Sequence, residues 1–98
     1  MDTLDRIVAT LQAHEPELRA AGIRRLSLFG SAARGEERAD SDIDVAVELD
    51  PEAHLGLQFF GLAPRLARVL GRPVDILAEP VQSPRLRANL DRDRRRVF

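Results

Sequence analysis

The chain has 98 residues, no cysteine and a formal charge of −1, which suits one domain, residues 1–98, with a single core and excludes disulfides, thiolate metal sites and a global basic field that would draw nucleic acid. All 15 basic residues are arginine, so the lysine-dependent phosphate loop is removed and a phosphatase scheme pairing Asp-x-Asp with lysine is weakened. No apolar run approaches the roughly 18 residues of a membrane span, and the start Met-Asp-Thr-Leu-Asp-Arg is not signal-like, so a cytoplasmic protein with no membrane partner is expected.

Leu4, Ile7, Val8 and Leu11 recur at helical spacing and predict an amphipathic helix over 3–13. Pro16, tolerated in a first turn, restarts the chain as a short helix from Glu15 to Ala21, stopped by Gly22. Residues 23–29 read as a strand ending at Gly30, followed to Asp40 by turn and loop with one helical turn over Ser31 to Arg34. Asp42 to Glu48 is the clearest strand: Ile43, Val45 and Val47 fall on one face, and Asp42, Asp44, Ala46 and Glu48 on the other. Leu55, Phe59, Leu62, Leu66 and Val69 predict a long helix, kinked or split by Pro64 and stopped by Gly71. Pro73 to Ala78 is a short strand with Asp75 facing opposite to Val74 and Ile76. Ser83–Pro84 reads as an N-cap and first helical position for a last helix anchored by Leu86 and Leu90. The arginines Arg92 and Arg94 to Arg96 read as its solvated, dipole-favoured end, with a role toward a partner or a nucleotide as the alternative. The order predicts a small α/β (α+β) domain, with a short mixed sheet backed by helices.

Asp42 and Asp44, two apart on a strand, leave the same face with Cβ atoms about 6.5–7 Å apart. Two carboxylates so placed suit a hard cation such as magnesium, which takes oxygen ligands together with substrate phosphates; without one they repel. Asp75 joins them if its strand pairs beside 42–47, and there it is placed as a general base. Gly30 allows close approach of backbone to an anion. Ser31 offers an N–H and a hydroxyl to phosphate oxygens, and Arg34, one turn on, offers a bidentate guanidinium. Ser41, just ahead of the acidic pair, caps or orients the strand start and stands with the nucleotide-binding candidates. Singly, each motif has a bland reading: a solvated acidic pair, a turn, an edge-strand charge. Their joint occurrence is specific. His14 and His54 have no ligand-like spacing and read as surface residues.

Gly30–Ser31, ten residues, then Asp42-x-Asp44 resembles the signature of the DNA polymerase β-like nucleotidyltransferase superfamily. The fuller strings Phe29 to Gly35 and Ser41 to Val45 are similar to its minimal nucleotidyltransferases. Gly71 to Leu77 resembles the family's third-carboxylate strand, and Ser83 to Arg87 its closing helix. The resemblance implies the nucleotidyltransferase core, with Asp42, Asp44 and Asp75 as a catalytic triad holding two Mg2+ ions and Gly30 and Ser31 gripping the triphosphate of ATP. It implies attack of an acceptor hydroxyl on the α-phosphorus with loss of pyrophosphate. It also implies an antitoxin role beside a HEPN-domain toxin that accepts AMP, in a homo-oligomer or a hetero-oligomer with that toxin. No direct nucleic-acid binding is expected. The alternatives are a non-catalytic antitoxin that masks its toxin by contact, and transfer to a small molecule such as an aminoglycoside, which normally needs an extra helical domain. Pro64 and the arginines near the C-terminus depart from the commonest pattern without touching the triad.

Overall fold

The computed structural model describes residues 3–35, 42–52 and 61–98. In chain order the elements are α1 (Thr3–Ala13), α2 (Glu15–Ala20), β1 (Ile23–Phe29), α3 (Gly30–Ala33), β2 (Ile43–Leu49), α4 (Leu62–Leu70), β3 (Val74–Glu79), α5 (Pro84–Asp93) and β4 (Arg95–Arg96). The sheet runs β3-β2-β1-β4. β1 is antiparallel to both β2 and β4, and β2 is parallel to β3. Parallel neighbours need a crossover, and α4 lies within the one joining β2 to β3.

The strict alternation of β2 decides the layering. Ile43, Val45 and Val47 are buried among Leu26 and Leu28 of β1, Ile7, Val8 and Leu11 of α1, Leu18 of α2, and Leu62 and Leu66 of α4. The opposite face carries a smaller cluster, Phe29, Ala46 and Leu90, packed by Leu77 and Val81. Leu90 therefore seats α5 on that second face, and the sheet is helix-backed on both sides. The start of α5 follows from its sequence: Ser83 Oγ accepts from the Leu86 N–H at 3.3 Å, and Pro84 occupies the first turn. Among the described residues no helix is long and apolar enough to cross a membrane.

One expectation needs correction, that of the arginine-rich end. Pro64 stands at the start of the described helix. It is the third residue of α4, within the first turn, where an N–H has no intrahelical partner to lose; the pattern at Leu55 and Phe59, like His54 and Ser41, lies outside the described residues. The arginine-rich end is not simply a helix terminus. α5 stops at Asp93, Arg95–Arg96 pair with Leu28 and Ser27 as β4, and Val97 and Phe98 are buried. The Val97 N–H donates to the Leu26 carbonyl at 2.8 Å, and the Leu26 N–H to the Phe98 carbonyl at 3.2 Å. Burial of these two apolar side chains drives the return to the sheet, while Arg95 and Arg96 keep their side chains exposed.

Candidate functional site

The site begins where β1 ends. Phe29 is extended, and Gly30 then turns into α3 with φ +71°, a left-handed conformation open to glycine. Phe29 lies opposite Asp44 in the antiparallel register, so the turn falls against the Asp44 side chain. A Cβ added at Gly30 would overlap the Asp44 Oδ2 atom and stand 3.3 Å from its Cγ. The glycine is thus the space the carboxylate occupies. Ser31 follows in the first turn of α3, whose leading N–H groups have no intrahelical acceptor.

The carboxylates come from two neighbouring strands. Asp44 and Asp75 are direct partners in the parallel register of β2 and β3, so their side chains leave the same sheet face with strands roughly 4.8 Å apart. Asp42 lies two residues before Asp44, just ahead of β2, and is exposed, as is Asp75; Asp44 is half-buried. Burial pushes the Asp44 carboxyl above the usual carboxylate range, the charges of Asp75 and then Asp42 push the same way, and Arg34 opposes them. Among the described residues, no three acidic, histidine or cysteine side chains form a group able to hold an ion unaided.

One cleft of about 580 Å³ gathers most of the residues singled out by sequence: Gly30, Ser31, Arg34, Asp44 and Asp75 line it together. Asp42 is not in its lining and acts on it through charge. Of the far wall, the sequence singled out Leu86 as a helix anchor and Arg92 as an alternative partner or nucleotide contact, but not Asn89 or Asp93. Leu86, Asn89 and Asp93 project from α5, with Arg92 beside them, facing Ile76 and Leu77 of β3. The three- and four-residue spacing of 86, 89 and 93 was the available signal. Arg34 donates to Asp93 at 2.6 Å, and Arg92 donates to the same carboxylate from Nε and Nη2, each at 3.0 Å. Arg94 instead leaves the cleft, donating to Ser27 Oγ at 3.2 Å and to Glu79 at 3.3 Å. A second concavity of about 520 Å³, lined by Glu17, Leu62, Arg65 and Arg68 among others, has the one carboxylate of its described lining paired with Arg65 at 2.8 Å.

Comparison with known proteins agrees with this arrangement. Residues 7–98 match the family model described as polymerase beta, nucleotidyltransferase. The protein adenylyltransferase MntA of Thermococcus cleftensis is 41% identical over 78 residues, covering 79% of this chain and 78% of that protein. A solved structure described as a candidate minimal nucleotidyltransferase superposes with a TM-score of 0.77 at 37% identity, over 97% of this chain and 95% of the other. A toxin–antitoxin crystal structure with AMP-PNP gives a TM-score of 0.68 at 26% identity, over 83% of this chain and 66% of the other. The chain belongs to the polymerase β nucleotidyltransferase family.

Proposed function

We propose that this chain is a cytoplasmic, single-domain, magnesium-dependent protein adenylyltransferase that moves AMP from ATP onto a hydroxyl of a partner toxin, in the role of antitoxin. The observation that carries the reading is the juxtaposition of Asp44 with Asp75 across two strands and with Gly30 at the turn. The relative from Thermococcus cleftensis supports the choice of AMP and of a protein acceptor. The toxin–antitoxin neighbour with AMP-PNP supports both nucleotide and partner class, and the HEPN identity of that partner is what the family resemblance implies.

The donor set fits magnesium. It consists of oxygen atoms only, and Asp44 is held in a partly buried position beside two like charges, which a hard cation relieves. Among the described residues the carboxylates do not form a group able to hold an ion by themselves, so an ion here would need substrate phosphates and water to complete its shell. Asp42 and Asp44 would hold the ions, two in number, with Asp75 completing the set. When bound, magnesium supplies charge neutralisation on the phosphate oxygens.

The chain's own groups do the rest. Gly30 lets the phosphates approach the backbone, and the Ser31 N–H and hydroxyl donate to phosphate oxygens. Arg34, at the cleft wall, adds positive charge, and Ser41 belongs to the same nucleotide-binding set. Asp75 accepts the proton of the acceptor hydroxyl as its oxygen attacks the α-phosphorus. The test incubates ATP labelled on the α-phosphate with magnesium, this protein and its co-encoded partner. Label on the partner that disappears with Asp44→Asn supports the reading. No label with the intact protein, together with undiminished protection of cells by Asp44→Asn, would instead make it a module that masks its toxin by contact.

A further inference from the structure

We propose that Arg92 is a second phosphate-contacting residue of this cleft, and that Asp93 is a positioning residue that aims Arg92 and Arg34 together at the departing pyrophosphate; the inference rests on the transferase reading above. Arg34 follows α3 and Arg92 lies in the last turn of α5, 58 positions along the chain from 34 to 92. Both converge on one carboxylate, which accepts from Arg34 Nη1 at 2.6 Å and from Arg92 Nε and Nη2 at 3.0 Å each. The Asp93 side chain is only 3% exposed, while those of Arg34 and Arg92 are 38% and 64% exposed. The carboxylate is therefore enclosed by its two cations, and the cations remain open to the cleft they line with Gly30 and Ser31.

Charge points the same way. The three side chains sum to one positive charge, facing a wall that carries Asp44 and Asp75. A triphosphate lying between those walls would meet metal-binding carboxylates on one side and guanidinium donors on the other. Arg92 engages Asp93 through two of its N–H donors, out of the five a guanidinium carries, and its planar fork matches phosphate oxygens. In the transfer, the bond from the acceptor oxygen to the α-phosphorus forms and the bond from the α-phosphorus to the bridging oxygen breaks. The electron pair leaves on pyrophosphate, and the hydroxyl proton passes to Asp75. Negative charge therefore grows on the leaving oxygen, where fixed guanidinium groups stabilise it.

The experiment titrates pyrophosphate with magnesium into the intact protein and into Arg92→Ala and Asp93→Asn, by calorimetry, and measures kcat and KM for ATP in transfer to the co-encoded partner. Both variants should bind pyrophosphate roughly tenfold or more weakly and lower kcat roughly tenfold to hundredfold. The double variant should be no worse than Asp93→Asn alone, and Arg92→Lys should restore only part of the loss. Arg92→Ala with unchanged pyrophosphate affinity overturns the proposal, even where Asp93→Asn melts earlier and loses activity, because that pattern is purely structural. Protein that binds pyrophosphate through Arg92 yet transfers no AMP would remove the transferase reading and leave the phosphate contact standing.

Discussion

Gly30→Ala separates backbone strain from damage to the site. At φ +71° an alanine costs about 1 kcal/mol in the left-handed region. Its Cβ would also overlap Asp44 Oδ2, and moving that side chain off its rotamer costs about another 1 kcal/mol. The sum, about 2 kcal/mol, lowers Tm by roughly 8–16 °C in a domain of this size. Gly71 supplies a matched control: its φ is +70°, but an added Cβ meets nothing within 4 Å. Gly71→Ala should therefore lose only about 1 kcal/mol, or roughly 4–8 °C, and keep full activity. Gly30→Ala should in addition lose transfer by roughly a hundredfold, because its misplaced carboxylate no longer sits where the chemistry needs it. Thermal melts and transfer of α-labelled AMP read the two effects separately. Equal melting losses in the two variants, with transfer intact in Gly30→Ala, would refute the claim that the glycine makes room for Asp44.

Asp44→Asn should melt higher than the natural protein at pH 7 without magnesium while transferring nothing. Because burial and like charges raise the Asp44 pKa on folding, ionising it opposes folding; the advantage of the amide should shrink as pH falls through the folded pKa and vanish below 3.8. Adding ATP and magnesium should raise the Tm of the natural protein and not of Asp44→Asn. Asp75→Asn should keep part of its ATP binding but slow transfer by roughly a hundredfold or more, as loss of a general base does, measured as kcat against Kd. Arg94→Ala should lose about 1–2 kcal/mol in urea unfolding, because the Ser27 hydroxyl, in a residue 2% exposed, loses that donor; AMP transfer should be unaffected.

How much was legible depended on the range of the interactions involved. The alternation of Ile43, Val45 and Val47 against Asp42 and Asp44 is local, and it assigned both faces of β2 correctly. The same alternation placed Asp75 opposite Val74 and Ile76. That β3 pairs beside β2, with Asp75 in register with Asp44, is a tertiary fact; alternation left it conditional, and the resemblance to the family supplied it. The rest depends on contacts between distant parts of the chain. Arg95 and Arg96 look like a solvated helix end until Val97 and Phe98 are seen buried against the core, a long-range packing event no window registers. Asp93 lies in a run of charges whose local pattern suggests solvent, while one of its partners, Arg34, is distant in sequence.

The proposed function stands on carboxylates of β2 and β3 and the glycine turn forming, together, a nucleotide site that works with a divalent cation. Calorimetric titration of the intact protein with AMP-PNP, with and without magnesium, tests it most directly. Binding should strengthen sharply with magnesium and lose that dependence in Asp44→Asn. Binding of equal strength with and without magnesium, unchanged by Asp44→Asn, would contradict it.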